Sequence, residues 1–372
     1  MASEILQTIT RLTPLADVWS LVDAWVKPVV PRTLDIGAAA GRVLAADATG
    51  AAHPAGAIAL QDGWALAADA TLGAGTYAPA LLPHIPPRID AGEPMPAGTD
   101  SVAPIDAVQV MQNRAEAVQT VSPGEGVLPA GGDSNPGLPL RRAGERLRLT
   151  DGAALAAAGL TIITVREPRI GIMPLRADSI VTAAARLIAS DIERKGGSAR
   201  LEDGGAGLAA ALAAETADAI VAIGGTGGGR NDHSVRILAR EGALAVHGMA
   251  LTPGETAAFG FAGARPVLLL PGRLDAALSV WLMVGQPMLR RLAGADDEEH
   301  DAAETLPLAR KIVSTVGLAE LVPVRRQAGQ AEPLASKYLP LSALMRSDGW
   351  VLVPAESEGY SAGSSVQVRP WP

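Results

Sequence analysis

At 372 residues the chain has room for two or three domains, and an apolar fraction of 48% excludes wholesale disorder. A formal charge of −8, with no basic stripe, argues against nucleic acid as the main partner. It leaves an anionic ligand open, because glycine-rich loops supply main-chain N–H groups locally. The absence of cysteine removes disulfides, thiolate nucleophiles and zinc–thiolate sites, and fits a cytoplasmic location.

The opening MASEILQTITRL lacks the basic start and apolar core of a secretory signal. Residues 14–30 place Leu15, Val18, Trp19, Val22 and Val26 near helical spacing, which predicts an amphipathic helix. LDIGAAAGRVLAADAT, residues 34–49, reads as a second helix with glycine inside it. Between about 50 and 148, Pro and Gly recur every few residues around short apolar runs, the pattern of a small β domain. TDGAALAAAGLTIITV then predicts a helix from about Thr150 followed by a strand.

From Arg169 strand and helix patterns alternate. RIGIMP, SARLED, ADAIVAIGG and PVLLLPG read as strands, and VTAAARLIASDIERKGG, GLAAALAAET and HSVRILAREG as helices, with GMAL completing the unit. Such alternation predicts a parallel sheet covered by helices, with ligands at the C-terminal strand ends. The apolar stretch from Ala276 to Leu289 lies between Asp275 and Arg290; it is too short for a bilayer and reads as a buried helix, so no membrane partner is expected. An acidic linker, ADDEEHDAAE, leads into a last run of alternating strands.

The segment AIGGTGGGRND, Ala222 to Asp232, sits between a strand and a helix. It fails the G-x-G-x-x-G dinucleotide pattern, and a P-loop would need Lys and Ser or Thr where Arg230 and Asn231 stand. Its glycines exceed what a plain turn requires. Asp232 is placed to cap the next helix, or to hold a cation or polar ligand group beside the glycine backbone.

Taken with other segments, this loop resembles the molybdopterin molybdotransferases, of the bacterial MoeA and gephyrin E-domain type. AGRVLAADATG, LQDGWALA, RIDAGEPMPAGTDSV, PAGGDSNPG, IVAIGGTGGGRND, LTPGETAAFGFAGARPVLLLPG and the tail DGWVLVPAESEGYSAGSSVQV are similar to successive family motifs, in order over nearly the whole chain. The resemblance implies a multidomain α/β plus β chain. Its parts are a discontinuous, elongated N-terminal domain (1–48 and 149–166), an inserted β domain (49–148), a parallel-sheet α/β domain that binds the pterin (167–296) and a C-terminal β domain (305–372). It also implies a homodimer with the active site between subunits, and a molybdoenzyme or another cofactor-biosynthesis protein as partner.

The implied chemistry inserts molybdate into adenylylated molybdopterin with Mg2+ and releases AMP; a molybdenum-cofactor carrier without insertion activity is the alternative. The matching positions give catalytic candidates Asp62, Asp133, Asp178, Asp203 and Asp232, of which Asp62 and Asp232 would hold the cation. Pterin-binding candidates are Gly224, Gly225, Thr226, Gly227, Gly228, Gly229 and Arg230, then Thr252, Pro253 and Gly254, then Pro271, Gly272 and Arg273. Two family lysines flanking Pro-Gly are matched here by Thr252 and Glu255, so a cationic anion site becomes neutral and acidic. Arg176, Arg230 and Arg273 are candidates to supply new positive charge.

Overall fold

The computed structural model describes residues 7–202, 207–296 and 303–372. The helix Leu15–Trp25 buries Leu15, Val18 and Val22 along one stripe, matching the predicted spacing, and gives way to extended chain at Val26. The predicted helix over 34–49 is not formed. Strands Arg32–Asp35 and Val43–Leu44 instead flank Ile162–Arg166 in a three-stranded antiparallel sheet, with one short 3₁₀ turn at Ile36–Ala38. Gly41 explains the failure. It takes φ +81°, and a Cβ on the facing Gly196 would come within 1.9 Å of the Gly41 carbonyl, so two backbones meet where a helix would need side chains.

Residues 58–128 build short strands in three small sheets, as the recurring Pro and Gly predict. Gly63–Leu66 pairs with Arg88–Ile89 and Ser101–Ala103, while Arg114–Ala117 pairs with Ala80–Leu81 and Val108–Met111. Leu66, Ala103, Ala115 and Ala117 are buried between them.

The central sheet has six strands, in the order Ser198–Leu201, Arg169–Pro174, Ala219–Ile223, Arg265–Leu270, Ala258–Ala262, Ala243–His247. The first four are parallel, as predicted; Ala258–Ala262 runs antiparallel to both of its neighbours, Arg265–Leu270 and Ala243–His247, and these two antiparallel pairings were not foreseen. Ala262 pairs with Arg265, leaving a two-residue turn with Gly263 at φ +62°. So short a connection forces antiparallel pairing, because a parallel crossover needs a dozen residues or more. The helix Ser179–Arg194 covers one face through Val181, Ala184, Ala185, Ile188 and Ile192. Beside it, the apolar stretch after Asp275 forms one continuous helical run with a π-type turn at Trp281–Gly285, and Trp281 is fully buried. Asp191, 1% exposed, accepts from Trp281 Nε1 at 2.7 Å and from Gln286 Nε2 at 2.8 Å, which ties these two helical segments together. No helix among the described residues is long and apolar enough to cross a membrane.

The C-terminal sheet runs Leu251–Thr252, Ala319–Gln327, Gly349–Val353, Ser365–Pro370, Glu304–Pro307. Its edge strand comes from the GMAL segment, which therefore does not belong to the central sheet. Leu251 and Thr252 pair in parallel with Ala319 and Glu320.

Asp151 fastens the helix Leu149–Ala157 to the segment before it. It accepts from the Arg148 main chain at 2.8 Å and pairs with the guanidinium groups of Arg148 and Arg141, each at 2.8 Å. These partners, Arg148 first, pull its pKa from the ordinary 3.8 down to about 2. The folded-state pKa is depressed, so this stability is present above pH 3.8 and lost as pH falls through about 2. We predict that Asp151→Asn lowers stability at neutral pH by about 1–2 kcal/mol. Urea denaturation at a series of pH values should show the difference from wild type shrinking in the acid range; a pH-independent difference would contradict the assignment.

Candidate functional site

Register places the candidate loops together. Pro174 stands beside Ile223, and Ile223 beside Leu270, so three parallel strands end at one level. The chain leaving them supplies 175–178, 224–233 and 271–273, all on the C-terminal edge of the sheet, where α/β folds bind ligands. Gly224 donates to the Leu270 carbonyl at 2.8 Å, and Leu175 to the Ile223 carbonyl at 3.0 Å, which continues the sheet into the loops. Gly272 lies against Gly224, where a Cβ would meet Gly224 Cα at 3.6 Å.

Within the glycine loop, Gly224 and Gly225 take φ +105° and +72°, a region that favours glycine. The carbonyls face protein. That of Gly225 accepts from Ser234 Oγ at 2.7 Å and from Gln7 Nε2 at 2.8 Å, and that of Gly227 from Gln7 Nε2 at 2.6 Å. The Thr226 carbonyl meets His247 Nε2 at 3.2 Å, a contact that requires the proton on Nε2. The Thr226 hydroxyl is bonded to Thr256 Oγ1 at 3.0 Å. Among the described residues no hydrogen bond is made by the amides of Gly225, Thr226, Gly227 or Gly228. Asp232 fastens the loop's far end, its Oδ2 accepting from the Gly229 amide at 3.0 Å. The Gly225, Thr226 and Gly227 carbonyls are thus bound by protein while, among the described residues, the amides of Gly225 to Gly228 keep their N–H groups unbonded, the electrostatics an anion requires.

Arg176 lies over Gly224, its Cδ 3.5 Å from where a Cβ would stand. Asp178 caps the helix Ser179–Arg194, accepting from the Val181 amide at 2.8 Å. Arg230 is exposed at the loop's tip. Thr252 is buried and joined by a cis peptide to Pro253, while Glu255 turns back to accept from the Gly254 amide at 3.1 Å. Arg273 pairs with Asp275, Nε to Oδ1 at 3.0 Å, and stacks over Tyr338 at 4.8 Å. Asp275 pushes the Arg273 pKa further up, with smaller contributions from Glu255 and Tyr338. Thus Glu255 and Arg273 lie close enough to interact. Asp275 also accepts from the Leu339 amide at 3.1 Å, which brings the 336–339 loop of the C-terminal sheet against the Leu-Pro-Gly turn.

Other candidates lie elsewhere in the chain. Asp62 accepts from the Ala91 amide at 2.8 Å in a turn of the 58–128 region, and Asp133 Oδ2 stands 3.6 Å from His53 Nδ1. Among the described residues no hydrogen bond or ion pair joins either to the glycine loop. Asp203 lies outside the described residues. Among the described residues, which do not include Asp203, no three acidic or histidine side chains form a group that could hold a metal ion. Trp64 packs beside Leu66 and Ala103, its Nε1 donating to the Ile105 carbonyl at 3.1 Å. The sequence did not single out Gln7, His247, Ser234 or Tyr338, which lie outside the quoted motifs, nor Thr256, which lies within LTPGETAAFG; only folding brings them to the loop or to Arg273 beside it. A cavity of about 580 Å³, lined by Trp19, Lys195, Arg290 and Trp350 among others, is separate from these loops. Lys195 follows the far end of the helix that Asp178 caps.

Comparison with known proteins gives three matches in chain order. The MoeA N-terminal region, domains I and II, matches 4–159; a probable molybdopterin binding domain matches 175–291; the MoeA C-terminal region, domain IV, matches 305–371. The chain belongs to the MoeA family. A Methanocaldococcus jannaschii protein ascribed to molybdopterin biosynthesis is 26% identical over 346 residues, 83% of this chain and 84% of its own length. The molybdopterin molybdenumtransferase 1 of Mycobacterium tuberculosis is 25% identical over 331 residues, 77% of this chain and 74% of its own. A molybdopterin biosynthesis MoeA protein structure from Pyrococcus horikoshii superposes with a TM-score of 0.76 at 21% identity, covering 97% of this chain and 100% of that one. A molybdenum cofactor biosynthesis protein from Pyrococcus furiosus gives 0.62 at 20%, covering 97% and 100%. These likenesses show the MoeA fold along the chain, and the glycine loop falls inside the molybdopterin-binding match.

Asp275 is 3% exposed and serves partners from two parts of the chain. Replacing it with alanine leaves the Leu339 amide without its acceptor and the Arg273 charge without its partner, at a cost of about 2 kcal/mol. Urea denaturation of Asp275→Ala checks this; an unchanged midpoint would show that the contact contributes nothing.

Proposed function

We propose that this chain is a molybdopterin molybdotransferase, which inserts molybdate into adenylylated molybdopterin and releases AMP. The observation that carries the proposal is the open row of amides at Gly225–Gly228, on the C-terminal edge of parallel strands in a chain of MoeA type. A phosphate-bearing pterin presents spread negative charge, and fixed N–H dipoles stabilise it without the reorganisation that flexible side chains require. The pterin would lie along Gly224–Arg230, with Thr252–Gly254 and Pro271–Arg273 as its neighbouring walls. With threonine and glutamate where the family has lysines, positive charge for the oxyanion falls to Arg273, Arg176 and Arg230.

In this proposal the cation site is completed between subunits. Asp62 of a second copy would join Asp232 to hold Mg2+, which makes the working form a homodimer. Asp133, Asp178 and Asp203 would line the same cleft, and domain boundaries near 48, 148, 166 and 305 separate the moving parts. The reaction is placed in the cytoplasm, with a molybdoenzyme or another cofactor-biosynthesis protein receiving the product.

Purified protein incubated with adenylylated molybdopterin, Mg2+ and molybdate should release AMP in a molybdate-dependent manner. Asp62→Ala and Asp232→Ala should each reduce that release by two orders of magnitude or more while Tm falls little, because a turn carboxylate contributes only about 1 kcal/mol. If AMP release is absent but mature cofactor still binds, the insertion reading gives way to a carrier.

A further inference from the structure

The open amides of the glycine loop depend on a side chain 218 positions earlier in the sequence. Gln7 is 8% exposed, and its Nε2 donates to both the Gly225 and the Gly227 carbonyls. The residues that follow hold this arm in place. Thr13 donates to the Gly248 carbonyl at 2.9 Å and accepts from the Ala250 amide at 2.8 Å. Ile9 packs so tightly over Gly248 that a Cβ there would come within 2.6 Å of its Cγ2.

The orientation of the carboxamide is fixed by chemistry. Its Oε1 is buried without a partner, so it is the two glycine carbonyls that set the group; exchanging N and O would press an acceptor against two acceptors. A trans peptide points each C=O opposite to the N–H that follows it. Drawing the Gly225 and Gly227 carbonyls toward Gln7 therefore turns the amides of Thr226 and Gly228 to the other side. These are two of the four donors left open. His247 holds the intervening Thr226 carbonyl from a different element, so the loop is braced from two directions.

We infer that Gln7 is a positioning residue for the anion-binding loop: one buried carboxamide, carried on the N-terminal arm, clamps two glycine carbonyls and so aims the Thr226 and Gly228 amides at the ligand. This rests on reading the loop as the phosphate-bearing pterin's site. It assigns the N-terminal arm a role in ordering the loop, through bonds to the loop's carbonyls.

The test uses Gln7→Ala and Gln7→Glu in the full chain, with AMP as the titrated probe and adenylylated molybdopterin as the substrate. Gln7→Ala should weaken AMP binding about tenfold, the equivalent of one to two lost hydrogen bonds, and raise KM with little change in kcat. Gln7→Glu at pH 8 sets a carboxylate against two carbonyls and should weaken binding further. As pH falls the carboxyl regains a proton and one donor, so its deficit relative to wild type at the same pH should narrow, a dependence that Gln7→Ala lacks and that lost packing would not produce. If wild type binds AMP and both variants bind equally well at every pH, the inference is overturned while the site reading stands. In ligand-free protein, Gln7→Ala should move the Thr226 and Gly228 amide resonances in a ¹⁵N spectrum. Unmoved resonances overturn the inference even if no ligand binds, whereas failure of wild type to bind AMP or pterin overturns the site reading.

Discussion

The site depends on one constraint, the common level at which three parallel strands stop. Pro174, Ile223 and Leu270 are register neighbours, and each is followed at once by one of the candidate loops. A one-residue slip in any pair would turn buried Ile and Leu side chains toward the wrong face, so the register is held by the core itself. Ile172, Val221, Leu268 and Leu270 are each fully buried, and the helix Ser179–Arg194 seals one side. The loops inherit their positions from this packing, so the glycines can be spent on conformation and close approach instead of on stability.

In a chain of net negative charge, the loop's own main chain offers positive potential. The cations near it are exposed or already paired: Arg273 is taken by Asp275, and Glu255 stands close by. The dependable positive potential is therefore that of main-chain amides, and for Thr226, Gly227 and Gly228 the preceding carbonyl is bound on the opposite side. Gln7, His247 and Ser234 do this from three separate parts of the chain. A satisfied acceptor on the protein side and an open donor on the ligand side are two ends of one planar group.

The C-terminal sheet takes part through a shared edge. Thr252 continues that sheet beside Glu320, a carboxylate with no exposure that accepts from Ser314, Ser336 and the Lys337 amide. The same stretch carries Tyr338 over Arg273 and the Leu339 amide to Asp275. The Thr-Pro-Gly and Leu-Pro-Gly turns are thus both bound to the last domain, and a change in that domain's seating reaches the walls of the glycine loop directly.

The amino-acid sequence alone determined the elements that rest on local periodicity and the loops that rest on residue type. Apolar spacing set the helices Leu15–Trp25 and Ser179–Arg194; short runs alternating with helical patterns set the parallel strands; clustered glycines marked the 224–229 loop. Periodicity misled at 34–49, where a helical spacing of apolar residues was overridden by the close approach of Gly41 and Gly196. It was silent on the strands Ala243–His247 and Ala258–Ala262; a two-residue turn decides that the second pairs antiparallel with Arg265–Leu270, and the first then pairs antiparallel with the second. Only tertiary structure decided which groups face the loop. Gln7, His247 and Tyr338 carry no local signal, because contacts such as that of Gln7 with Gly225, 218 positions apart, depend on strand register and chain path, and neither is encoded in the spacing of neighbours.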